Sequence, residues 1–274
     1  MKTITESAIS YFRCTTLEHG ISLIKKGSIK FNTPRSWIKY AKDKMQEGRG
    51  DLLEGVFAAA QYNNISDIRY YATMYDDIEP YFSPQNKLVY YRRGYTLDLP
   101  CLCLYAAKMS DFIWQDEKGD ARELHIDGSY FRDFQDNISI KDEKKLPKKR
   151  RATVVWIQKM DEFKDRIVTK LLSMGVTAHE IIMGGISYDD LNTDFWMPHC
   201  RTPRELLVKD EKFIKQSEFR IIINTNNPTI LEQLKKPIEI GNCKDIAALH
   251  CGYHYKGVDM IIKRSTNPEG SLLA

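Results

Sequence analysis

Lys215-Gln216-Ser217-Glu218-Phe219-Arg220 runs straight into Ile221-Ile222-Ile223. On an extended chain, residues two apart point the same way. Gln216, Glu218 and Arg220 are therefore expected on one face, and Phe219, Ile221 and Ile223 on the other. A carboxamide, a carboxylate and a guanidinium at the mouth of a buried strand suit two roles. They can grip a sugar or a planar cationic group, or they can form the salt bridges of a strand start.

The surrounding pattern predicts a mixture of strands and helices. Strands are expected over 9–14, 28–31, 97–105, 153–158, 180–188, 218–224, 237–240 and 258–263. Thr15 or Thr16 offers an N-cap, Leu17, Ile21 and Ile24 follow at helical spacing, and Gly27 stops the helix. Met160, Phe163, Ile167, Leu171 and Met174 repeat in the same way up to Gly175. Asn32-Thr33-Pro34 marks a turn, and Pro228 opens a short helix. Residues 35–60 look helical around a glycine-flanked loop, Glu47-Gly48-Arg49-Gly50-Asp51, in which Arg49 and Asp51 suit a turn-stabilising pair. The tyrosine-rich segment 62–95 has no regular period and reads as an insertion. The whole, 1–274, is expected to be one α+β domain.

Composition narrows the partners. A net charge of +4 does not make the molecule a polyanion magnet. Its basic residues do concentrate in Lys144-Lys145-Leu146-Pro147-Lys148-Lys149-Arg150-Arg151, a loop at 144–151 that could grip phosphates. No aromatic residue interleaves there, so base stacking has no support. No stretch approaches the roughly 18 apolar residues of a membrane span, and the first residues lack the apolar core of a secretory leader. Cys14, Cys101, Cys103, Cys200, Cys243 and Cys251 lack the spacing of a disulfide framework, so a reducing, cytoplasmic setting is expected. His250-Cys251-Gly252-Tyr253-His254, His199-Cys200 and Cys243 contain no close ligand pair of the Cys-x-x-Cys kind, so no metal is expected.

Three separated segments resemble the ADP-ribosyltransferase-like superfamily. Tyr11-Phe12-Arg13-Cys14-Thr15-Thr16, the following helix and Gly27-Ser28-Ile29-Lys30-Phe31 look like its opening, where a strand arginine precedes a short helix. Gln216-Ser217-Glu218 looks like the motif of its arginine-serine-glutamate class. The chain also resembles a phage- and bacterium-associated family of unknown function. The matching places are Gly50-Asp51-Leu52-Leu53-Glu54-Gly55, Trp114 and Ser217-Glu218-Phe219-Arg220. One departure stands out. The serine element of the superfamily's central strand is replaced by Cys101-Leu102-Cys103-Leu104-Tyr105, and Ser110 follows only later.

The resemblance implies a central, mainly antiparallel split sheet with peripheral helices, and NAD as substrate without a metal. Glu218 would hold the ribose 2′-hydroxyl and stabilise an oxocarbenium-like state, and Gln216 would orient the acceptor. Arg13 would clamp pyrophosphate or ribose, with Thr15 beside it. Tyr105 or Trp114 would stack on nicotinamide, and Ser110 would stand in for the missing serine. The acceptor would be a macromolecule, protein or nucleic acid, in phage–host conflict, with no membrane involved. Two other readings use other residues. The tyrosines between Tyr62 and Tyr95 suit a non-catalytic binding surface. Asp-Glu-Lys at Asp116, Asp142 and Asp210 suits a metal-dependent nuclease.

Overall fold

The computed structural model describes residues 8–44, 51–118, 121–128, 131, 144–197, 202–251 and 257–263. They form a mixed α+β domain with mainly antiparallel sheets. Strands and helices are numbered along the chain. The central sheet has six strands in the order Ile181–Gly185 (β10), Glu218–Ile223 (β14), Cys101–Lys108 (β6), Ala8–Thr16 (β1), Ala152–Ile157 (β9) and Ala247–Cys251 (β16). Every pairing in it is antiparallel.

One face of this sheet carries Leu102, Leu104, Val155, Ile157, Ile221 and Ile223. Helices Leu17–Lys26 (α1), Met160–Ser173 (α5) and Pro228–Leu234 (α6) cover it with Leu23, Phe163, Ile167, Leu171, Ile230 and Leu234. The apolar spacing read in α1 and α5 is the spacing that meets the sheet. Gly27 closes α1 in the left-handed region at φ 65°, where a Cβ would run into the Gly241 carbonyl oxygen. Beside it, Ser28–Ile29 (β2) pairs with Ile238–Glu239 (β15).

Two smaller sheets complete the fold. Ile113–Lys118 (β7), Ala121–Ile126 (β8) and Val258–Lys263 (β17) form one of them. Its Leu124, Ile126 and Val258 pack with Phe12, Tyr105 and Val154 of the central sheet. The other contains Val56–Gln61 (β3), Ile78–Ser83 (β4), Leu88–Arg93 (β5) and Phe195–Trp196 (β12), in the order β12-β3-β5-β4. The segment 62–95 therefore supplies helix Ile65–Ala72 (α3), β4 and β5 to a packed sheet. The remaining strands, Ser187–Asp189 (β11) and Val208–Asp210 (β13), are the one parallel pair of the numbered strands.

Several expectations need correction. Val56–Gln61 is a strand, not helix. Its Val-Phe-Ala-Ala-Ala run has helical propensity, but the strand is buried on both faces and burial overrides propensity. Helix Pro34–Lys44 (α2) begins at the proline read as a turn, as suits proline in a first turn. Gly94–Leu97 is a short helix (α4), so β6 starts only at Cys101. Strand β16 was not foreseen, because Ala247-Ala248-Leu249-His250-Cys251 alternates weakly. Lys148–Arg150 form an exposed 3-10 turn. Arg49, Asp142, His199, Cys200 and His254 lie outside the described residues. Among the described residues no helix is long and apolar enough to cross a membrane.

Candidate active site at the fork of the central sheet

Strand β1 pairs with β6 only from Ala8 to Phe12, the last match being Phe12 with Tyr105. Beyond that point β1 stays with β9, Arg13 opposite Val155, and parts from β6. The fork is closed at its far end by the bridge between Asn32 and Cys101. This opening is the split in the sheet, and two cavities meet at it. One, of about 110 Å³, is lined by residues including Asp51, Glu54, Cys103, Tyr105, Glu218 and Arg220. The other, of about 280 Å³, is lined by residues including Thr15, Thr16, His19, Lys30 and Phe163. Arg13, Cys14, Asn32 and Leu104 line both.

Glu218 opens β14 directly opposite Tyr105, and Arg220 sits opposite Cys103. The two share a face, as the alternation predicted, with Ile221 and Ile223 buried on the other. Gln216 does not belong to the strand. It ends a 3-10 helix, Glu211–Gln216, and Ser217 turns through the left-handed region at φ 42°. That kink breaks the period of two before Glu218. Gln216 nonetheless reaches the same cluster, because its Oε1 accepts from Lys209 Nζ at 2.7 Å. Both side chains are buried, so Gln216 steadies Lys209.

The cluster is a buried ion network. Lys209 Nζ donates to Glu218 Oε1 at 2.5 Å. Arg220 donates through Nε and Nη2 to Glu218 Oε2 at 3.1 and 2.9 Å. Its Nη1 and Nη2 both bond Glu54, the latter at 3.1 Å, and Nη1 also donates to the Leu206 carbonyl at 2.8 Å. All five guanidinium donors are thereby used. The guanidinium lies 5.1 Å from the centre of the Trp37 ring. Burial alone would raise the Glu218 carboxyl, but Lys209 and Arg220 overcome it and hold the group at about 2. A carboxylate has about four acceptor positions. Lys209 takes one on Oε1 and Arg220 takes both on Oε2. Among the described residues one position on Oε1 remains for a hydroxyl.

This arrangement gives a pH prediction. A folded value near 2 against an ordinary 4.5 makes Glu218 stabilising above pH 4.5, and that stability is lost as pH falls toward 2. The loss is on the order of 3 kcal/mol. Acid unfolding followed by circular dichroism should show it, and Glu218→Gln should remove most of that dependence.

Arg13 reaches the site from the other side. The match of Phe12 with Tyr105, and of Tyr105 with Glu218, puts Glu218 on the Phe12 face. Arg13 therefore leaves the sheet on the opposite face from Glu218. Its strand is separated from β14 by β6, so Arg13 and Glu218 are not cross-strand neighbours. The fork lets the two line one cavity all the same, and Arg13 Nη1 donates to the Cys103 carbonyl at 2.5 Å.

The other expected residues divide. Thr15 lines the second cavity. Tyr105 lines the first but is buried edge-on against Phe131 at 6.0 Å, so its ring is largely committed to the core. Ser110 is exposed on a 3-10 turn past the end of β6. The strand from Tyr105 to Lys108 alone spans about 10 Å, so Ser110 does not supply the serine element. Trp114 lies on β7, and its side chain is outside the described residues. Cys103 takes the cavity position on β6, and burial pushes its thiol up to about 12. It is therefore no thiolate nucleophile at neutral pH. Asp210 caps the 3-10 helix through Lys212 N and accepts from Asn192. Among the described residues no three of His, Cys, Asp or Glu are grouped to hold a metal.

Lys209, Trp37 and Asn32 were not anticipated. Lys209 had a signal, a lysine within the apolar Leu206-Leu207-Val208 context, but its partners are elsewhere in sequence. Asp51, read as half of a turn-stabilising pair, and Glu54, given no role, stood in a segment of resemblance; here Glu54 bonds Arg220 and Asp51 lines the same cavity as Glu218. No protein-family model, curated protein or solved structure matches the chain.

Proposed function

We propose that the chain transfers ADP-ribose from NAD to a macromolecular acceptor. The observation that supports this is the convergence of Arg13 and Glu218, from opposite ends of the chain, on one cavity at the fork of the sheet. NAD loses nicotinamide through an oxocarbenium-like state, as glycosidic bonds do. Glu218 stays ionised at any working pH and keeps one acceptor position for the ribose 2′-hydroxyl. Lys209 and Arg220 fix it and offset part of its charge. Asp51 and Glu54 add negative charge to the same wall. Arg13, Thr15, Thr16, His19 and Lys30 give the second cavity donors and positive charge that suit a pyrophosphate.

Arg13→Ala should weaken NAD binding by about 1.5–3 kcal/mol, the worth of a charge-assisted contact. Calorimetry on wild type and variant, with melting curves as a control for folding, measures it. Equal affinities, or no binding to either protein, would reject the role.

A second reading has its own support. Glu218 is 5% exposed and bonded to two cations, which is how a purely structural ion network looks. Tyr62, Ile65, Tyr70 and Phe82 are exposed on α3 and the β4–β5 side of the molecule, a surface suited to a protein partner. A non-catalytic binding protein would use that surface and tolerate loss of Glu218 in every functional assay.

A further inference from the structure

Asp51 is the charged group of the cavity that the network leaves unused. Its Oδ1 accepts from Leu53 N at 2.8 Å, which fixes the turn before β3. Its Oδ2 is buried and has no hydrogen-bond partner among the described residues, yet the side chain lines the same cavity as Glu218. A buried carboxylate oxygen without a partner is costly, and such sites are commonly kept for function. Four charged groups face it. Glu54 is on its own turn, Lys209 on β13, Lys212 on the following 3-10 helix and Arg92 on β5.

We propose that Asp51 is the base of the transfer, taking the proton of the acceptor hydroxyl on its Oδ2. This role rests on the transfer reading above. The bond from ribose C1′ to the nicotinamide nitrogen breaks, and its electron pair returns to the ring, so nicotinamide leaves neutral. A lone pair of the acceptor oxygen forms the new bond to C1′. The acceptor proton passes to Asp51 and then to solvent, with no redox change. Glu218 cannot take that proton, because Lys209 and Arg220 hold it far too acidic. Burial, opposed by Lys209 and helped by Glu54, raises the Asp51 carboxyl to about 6. That suits a group that must accept a proton near neutrality and give it back.

The test uses NAD with water as acceptor, following nicotinamide release against pH in wild type and Asp51→Asn. Asparagine keeps an oxygen for Leu53 N but is no base. Turnover should fall by at least about 100-fold, the lower bound of general-base catalysis. NAD affinity by calorimetry should be unchanged. The acidic limb of the wild-type profile, near pH 6, should be absent from the residual activity. The variant should melt at or above the wild-type temperature near neutral pH, because a buried charge has been removed. Asp51→Ser, which offers an acceptor but no base, should behave alike. Wild-type turnover with the limb retained in the variants overturns the base role and leaves the transfer reading standing. Melting temperature and turnover falling together would make Asp51 structural. No nicotinamide release from wild type overturns both readings at once.

Discussion

Arg220→Met is expected to cost about 3–5 kcal/mol of folding stability, the scale for breaking a buried ion network from one side. The substitution removes five hydrogen bonds and leaves Glu54 buried without its ion pair and Glu218 with Lys209 alone. Against a typical total of about 5–15 kcal/mol this is a large share. The loss has a second component, since Arg220 joins the central sheet to the turn before β3. Lysine cannot rescue it, having three donors where five are used. Adding Glu54→Gln to Arg220→Met should recover part of the loss, because one of the stranded charges disappears. Equilibrium unfolding in urea, read as a change in midpoint at constant slope, measures both variants. A loss under about 1 kcal/mol, the value of an exposed pair, would contradict the buried network.

Glu218→Gln is expected to lower nicotinamide release by about two to three orders of magnitude, the effect of losing one transition-state contact. It should also lower stability, because Lys209 and Arg220 then face each other with less countercharge. A fall in activity alone therefore decides nothing. Adding Lys209→Met restores the charge balance of the cluster, since it removes the cation that Glu218 neutralised through Oε1. The double variant should regain much of the stability lost by Glu218→Gln and stay as slow. A purely structural Glu218 predicts that turnover recovers with stability.

The strand that carries this chemistry was legible, and its first turn was not. The apolar run after Arg220 and the alternation around Phe219 suffice to define β14 and the shared face of Glu218 with Arg220. Ser217 hides the end of that pattern. A serine gives no sign of the left-handed conformation that throws Gln216 into a 3-10 helix. The fork is legible only in outline. Arg13 follows the pairing parity of β1, but where β1 leaves β6 depends on the Asn32–Cys101 bridge, a contact between distant segments. Lys209 shows the general difficulty. Its burial depends on Gln216, from the end of the following 3-10 helix, and on Glu218, from the next strand, so no local period marks it. Val56–Gln61 failed for a different reason: alanine favours a helix until two layers bury it.

The most direct test is the rate of nicotinamide release from NAD by the wild-type protein, beside the Glu218→Gln/Lys209→Met variant at equal folded concentration. Release from wild type is expected above the buffer rate, and release from the variant at least about 100-fold slower. Equal rates from the two proteins, or no release from the wild type, would contradict it.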